Sequence, residues 1–239
     1  MAHTEDTNAA IWKSGEMAAT WAAEAAERER SHGPQWRLVA QLLPFGDKDA
    51  FTFLDIGAGT GAASQAILDR YPNSTAILAD FSPEMMGAGE LEMRRFAGRY
   101  QYVEFDMLAG HWPGDLPAAA DAIVTSLCVH HLPDVRKQGL SAEIFGHLRP
   151  GAWYLNYDAV RTDDAVVAST WERANDRINP QAAHKRHHRT PAELARYQNH
   201  VRYMIPLDQQ LGYLRAAGFQ GIDVYWKRLD YVIYGGCRA

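Results

Sequence analysis

Cysteine is scarce in this chain of 239 residues: Cys128 and Cys237 are the only two. That number supplies neither a disulfide framework nor the spacing of a cysteine metal site. No apolar stretch is long enough to span a bilayer, and the first residues lack the charged–apolar–small order of an export signal. A basic excess is missing too. The formal net charge is −5, which argues against a general binder of nucleic acid or of an anionic membrane surface. Repeats and low-complexity linkers are absent. The expectation is a reduced, cytoplasmic protein, monomeric or homodimeric, with no nucleic-acid or membrane partner. What is present is ordinary for a globular chain: 47% hydrophobic and 22% charged residues. The length suits one α/β domain over 1–239 with a real core.

The most informative stretch is Phe51 to Gly61, Phe-Thr-Phe-Leu-Asp-Ile-Gly-Ala-Gly-Thr-Gly. Its apolar run reads as a buried parallel strand that ends in glycines, and Ala62 to Leu68 has helical composition. A strand, a glycine turn and a helix start place backbone N–H groups around a ligand. Gly57, Gly59 and Gly61 allow a tight turn and close approach. The spacing is Gly-x-Gly-x-Gly, and Ala62 takes the place of the last glycine in the dinucleotide fingerprint. Asp55, two residues before the first glycine, would repel a pyrophosphate and suits a cationic or hydroxyl-bearing ligand end. Thr75 to Ala79 reads as a second buried strand that ends in Asp80. An acid there, about 20 residues past the glycines, is where a ribose is hydrogen-bonded, since a carboxylate accepts from both hydroxyls at once. Ser82 as N-cap and Pro83 in the first helical position open the next helix.

Asp-Ile-Gly-Ala-Gly-Thr-Gly, followed by Asp80-Phe81-Ser82-Pro83-Glu84-Met85-Met86, resembles the class I S-adenosylmethionine (SAM)-dependent methyltransferases of the small-molecule type. Further along, Val129-His130-His131-Leu132-Pro133-Asp134, the Leu-Arg-Pro-Gly before the fifth strand and the closing Ala217-Gly218-Phe219 fit the same family. The resemblance covers roughly Phe51 to Asp158 and the final hairpin; Ala152 departs from the usual second glycine. It implies SAM as cofactor and a doubly wound, Rossmann-like α/β fold with a seven-stranded, mostly parallel sheet. Asp55, Gly57, Ala58, Gly59 and Gly61 would pack on the amino-acid end. Asp80, Phe81 and Met85 would hold the ribose side, and Asp106 and Met107 the adenine. Ser126 and Leu127 close the cofactor set, and His130 and His131 lie at the cleft floor as candidate catalytic residues.

Thr7 to Arg30 is expected to be a helix closed by His32-Gly33-Pro34, with a second helix through Trp36 to Leu43. The pair, residues 1–45, would form a lid; Trp12 is a candidate for the acceptor side, whereas Trp21 anchors the helix. Ala159 to Pro206 reads as two or three inserted helices that cap the cleft, before a helix over Leu207 to Ala217. Ile222 to Trp226 and Tyr231 to Tyr234 read as a hairpin that adds one antiparallel strand. From Gln181 to Arg202 the insertion has five basic residues against Glu193 alone. Arg186, Arg189 and Arg202, with Tyr157, are therefore candidates to hold an anionic small-molecule acceptor; a solvated helix face is the competing reading. His184, His187 and His188 have no cysteine or acid to complete a ligand set, so no metal is expected.

Because the methyl group of SAM sits on a sulfonium, the protein mainly has to align a nucleophile and exclude water. A hydroxyl or ammonium acceptor must also lose a proton, a task suited to histidine. Transfer to oxygen or nitrogen is the expectation. Two other readings stay open. A nicotinamide-dependent oxidoreductase would share Asp80 but leave Asp55 and Asp106 unexplained, and a binding protein could keep the fold without the chemistry.

Overall fold

The run Thr52–Ile56 (β1) alternates Phe53 toward one face of a sheet and Leu54 toward the other, and both are fully buried. Only a sheet covered by helices on both sides accounts for that. The computed structural model describes residues 15–239, except the side chains of residues 16–18, 22, 182, 185, 192 and 196. In chain order the helices α1 (Gly15–Ala23) and α2 (Ala25–Leu42) precede β1. Next come α3 (Ala62–Arg70), β2 (Thr75–Asp80), α4 (Pro83–Met93), β3 (Tyr100–Glu104), β4 (Ala120–Ser126), α5 (Asp134–His147) and β5 (Leu148–Ala159). Three helices form the insertion: α6 (Ala165–Ile178), α7 (Pro180–His187) and α8 (Pro191–Val201). The chain closes with α9 (Leu207–Ala217), β6 (Gln220–Arg228) and β7 (Tyr231–Cys237).

The seven strands run β3-β2-β1-β4-β5-β7-β6. β1 to β5 pair in parallel, and β7 is antiparallel to both β5 and β6. The sheet reverses its build direction between β1 and β4, the place where open α/β sheets bind ligands beyond their carboxyl ends. One core face holds Leu54, Ile56, Leu140, Ile144 and Tyr234; the other holds Phe53, Trp36, Ile67, Tyr71 and Ile233.

The N-terminal boundary differs from the sequence reading. The chain turns at Glu24, and α2 runs on through His32-Gly33-Pro34. A proline inside a helix costs about 3 kcal/mol. Here α2 buries Trp36, Val39 and Ala40 along one stripe, with Leu43 just after it, at roughly 1.5–3 kcal/mol for each large apolar side chain. Packing outweighs the proline. The buried Tyr71 hydroxyl also donates to Ala40 O and Leu43 O, at 3.0 and 3.1 Å, which closes the helix end. Trp12 lies outside the described residues.

Candidate functional site

Every β1-to-β4 strand end reaches one cavity. Asp55, Gly57, Ala58 and Gly59 line it from β1 and its loop; Asp80, Phe81 and Met85 line it from β2 and α4. Asp106 and Met107 follow β3, and Ser126, Leu127, Cys128 and His131 follow β4. Trp21 and Trp36 complete the wall from the N-terminal helices. Trp21 therefore does more than anchor α1. Arg28 stacks over its ring at 3.9 Å, and Trp36 Nε1 donates to Ser126 Oγ at 2.8 Å.

The glycine turn is built for close contact. Gly57 has φ +69°, and a Cβ there would fall 2.6 Å from Cys128 Sγ. Gly61 is not among the lining residues. A Cβ on it would meet Met93 Sδ at 2.8 Å and Leu78 Cδ2 at 2.9 Å, so it lets α3 pack on the sheet instead of facing a ligand. Leu127, with φ 53°, is a non-glycine residue in left-handed backbone at the cavity, a strain of about 1–2 kcal/mol. Its N–H donates to Tyr157 O at 2.8 Å.

The acids differ in their state of satisfaction. Asp80 Oδ2 accepts from Gly59 N at 2.8 Å and its Oδ1 from Ser82 N at 2.9 Å. Burial raises its pKa, and these N–H groups oppose the rise. Each oxygen keeps a second lone-pair direction for a ligand. Asp106 is exposed at the rim and accepts from Leu108 N at 2.8 Å. Asp55 is 1% exposed; its Oδ2 accepts from Ser64 Oγ at 2.6 Å, and its Oδ1 has no hydrogen-bond partner among the described residues. Burial pushes its pKa up to about 7, and the nearby charge of Asp80 adds to the rise. A buried carboxylate oxygen without a partner fits a ligand ammonium, which would make Asp55 a full anion again.

That shift sets a pH dependence. The folded-state pKa of about 7 lies above the ordinary 3.8, so folding favours the protonated acid. The associated stability is complete below the ordinary value and is lost as pH rises through the folded value. Asp55→Asn should therefore melt higher than the wild type at pH 8, with the difference shrinking toward pH 4. Thermal melts across that range check it, and a lower melting temperature for Asp55→Asn at pH 8 would contradict it.

Three histidines meet beside the cavity. The 3₁₀ turn Val129–His131 after β4 carries two of them, and α8 of the insertion supplies His200. Ring centroids are 4.0 Å apart for His130 and His131, 4.8 Å for His130 and His200, and 5.0 Å for His131 and His200. Asp158, fully buried on β5, fixes His130: Oδ1 lies 2.5 Å from Nδ1, and Oδ2 accepts the His130 backbone N–H at 3.0 Å. Burial lowers the pKa of His131 well below the usual imidazole range. Burial, with the charge of His130 next, brings His200 down to about 4. Lys137, also buried, donates from Nζ to Leu132 O at 2.6 Å and to Tyr203 O. It thereby ties the histidine turn to the segment that follows α8.

The proposed acceptor residues are placed elsewhere. Tyr157 is 1% exposed and does not line the cavity; its hydroxyl lies 2.7 Å from His32 Nδ1. Successive strand residues point to opposite faces, so Tyr157 faces α2 while Asp158 faces His130. Arg186 pairs with Asp176 at 3.1 Å, Arg189 stacks over the Tyr197 ring at 3.7 Å, and Arg202 is exposed near Tyr203. None of the three lines the cavity. The insertion reaches the site through His200, not through its arginines. His184 and His188 stack on each other at 4.1 Å, while His187 turns to Asp176. Asp158 was expected on the acceptor side with His130, His131 and Tyr157, whereas Cys128 in the cavity wall and His200 beside the other histidines were missed, because no spacing in sequence joins them to the site.

Residues 54–154 match the family model described as a methyltransferase domain. The trans-aconitate 2-methyltransferase of Azoarcus sp. (strain BH72) is 29% identical over 103 residues, 43% of this chain and 37% of that protein. An O-methyltransferase family protein from Burkholderia thailandensis superposes with a TM-score of 0.67 at 19% identity, over 93% of this chain and 60% of its own. Human N-acetylserotonin methyltransferase in complex with SAM gives 0.65 at 18% identity, over 100% of this chain and 60% of its own. The chain thus spans 37% to 60% of the length of these relatives.

Proposed function

We propose that this chain is a class I SAM-dependent methyltransferase and moves the SAM methyl group to an oxygen of a small molecule held beside His131. The observation that carries the reading is a single cavity lined both by Asp55, Asp80 and Asp106 and by His131. Those acids suit the three polar regions of SAM: Asp55 the ammonium, Asp80 the ribose diol, and Asp106 the adenine amino group. Bound SAM supplies an activated methyl group. The residues of this chain orient it, keep water out with Trp21, Trp36 and Met107, and present the acceptor in line.

Oxygen is favoured over nitrogen because the acceptor side holds imidazoles and a buried carboxylate. An acceptor hydroxyl has to give up its proton, and His131 lines the cavity with the His130–Asp158 pair and His200 packed behind it. A positively charged acceptor would find no free carboxylate on that side among the described residues, since Asp158 is committed to His130 and to the Ala159 N–H. Capping by α8 supports a small, enclosed acceptor. The basic surface of the insertion, being outside the cavity, no longer argues for an anionic one.

Calorimetry with S-adenosylhomocysteine and with NAD comes first, followed by transfer of labelled methyl from SAM to a panel of hydroxy, carboxylic and amino compounds. Binding of S-adenosylhomocysteine alone, with label on oxygen, is expected. Binding of NAD instead, or label confined to amines, would reject the reading.

A further inference from the structure

His130, His131 and His200 come from two elements about 70 residues apart in sequence, and their ligand atoms lie within 4.8 Å of one another. Three features separate this cluster from a set of packed rings. His130 Nδ1 is held by the fully buried carboxylate of Asp158 at 2.5 Å, which directs Nε2 into the cluster. That Nε2 is buried and makes no hydrogen bond among the described residues. A carboxylate behind a histidine, with the far nitrogen turned inward, is the arrangement that orients imidazoles on a metal ion. Lys137 and the bond from Arg161 Nε to Met204 O anchor the chain just after α8, so His200 is held over the turn.

We infer that His130, His131 and His200 bind one divalent transition-metal ion of the zinc type, with an acceptor oxygen as its fourth ligand. Three imidazoles and an open position suit such an ion, and the absence of thiolate and acidic ligands disfavours calcium or magnesium. Tetrahedral ligands at about 2.1 Å would stand roughly 3.4 Å apart, and side-chain rotation of His131 and His200 supplies the closure. Neutral imidazole is the form that binds metal, in keeping with their burial. The open position faces the cavity, because His131 lines it.

The inference rests on the methyl-transfer reading and says how the acceptor proton leaves. On binding the ion, an acceptor hydroxyl releases its proton to solvent and stays as the oxyanion. The oxyanion attacks the SAM methyl carbon; the C–O bond forms as the C–S bond breaks, and its electron pair stays on sulfur as the neutral thioether.

Chelator-treated, dialysed full-length protein titrated with Co²⁺ tests this. One Co²⁺ per chain is expected, with the intense visible bands of a four-coordinate site, displaced by Zn²⁺. His200→Ala should weaken Co²⁺ roughly hundredfold or more, and His200→Cys should restore binding with a new sulfur charge-transfer band. His188→Ala, on the surface of the insertion, should change nothing. No saturable Co²⁺ binding, equal binding by His200→Ala, or loss of binding in His188→Ala would each overturn the inference. S-adenosylhomocysteine calorimetry on the same samples separates the two ideas. Retained cofactor binding without metal binding removes this inference alone, whereas absent cofactor binding strikes the methyl-transfer reading.

Discussion

Asp80→Ala is expected to weaken S-adenosylhomocysteine by roughly 30-fold to 1000-fold, about 2–4 kcal/mol, because it removes charge-assisted bonds to a desolvated diol. The effect is compounded by the loop. Asp80 accepts the Gly59 and Ser82 N–H groups, so its loss leaves a half-buried and a buried donor without that partner and frees the glycine turn that lines the cavity. Asp80→Asn should fall between the two, since the amide keeps one acceptor oxygen but turns a donor toward Gly59 or Ser82. Calorimetry on variants with wild-type circular dichroism measures this. Unchanged affinity in a folded Asp80→Ala protein would remove Asp80 from the cofactor site.

His130→Asn should lower kcat by roughly 10²–10⁴-fold, the range for losing a group that the removal of the acceptor proton depends on. Asparagine is chosen for its shape. Its side-chain nitrogen can donate to Asp158 as Nδ1 does, so the buried carboxylate is not stranded, while Nε2 is deleted. SAM affinity should stay within about threefold, because His130 is not among the residues that line the cofactor cavity. A kcat within threefold of wild type, measured with the acceptor found in the labelled-methyl panel, would show that His130 only packs the turn.

Much of the cavity lining from β1 to β3 was legible because it is local. Asp55, the glycines, Asp80 and Asp106 each sit at the carboxyl end of a strand whose apolar run is visible, and parallel strands bring those ends to one edge. The Ser82 cap is equally local: its hydroxyl accepts from Met85 N at 3.2 Å. The antiparallel insertion of β7 was expected from the two last apolar runs and is the order observed. Gly61 shows the limit. Its place in the motif is identical in kind to that of Gly57, yet one backs onto Met93 and the other onto the cavity wall.

The sequence alone determined the sheet and the strand ends that line the cavity, since periodicity and glycine turns act over a few residues; the motifs at those ends carry the resemblance from which SAM is proposed as the methyl donor. Only the tertiary structure decided which residues stand beside the far end of the cavity. Charge pattern singled out Arg186, Arg189 and Arg202, but an arginine is stabilised as well by a neighbouring acid, a ring or water as by a ligand, and composition does not distinguish these. Alternation in β5 sent Tyr157 toward His32 and Asp158 toward His130. His200 joined His130 and His131 because Lys137 and Arg161 pin the end of a long insertion. Such contacts form between residues far apart in the chain, and no local pattern records them.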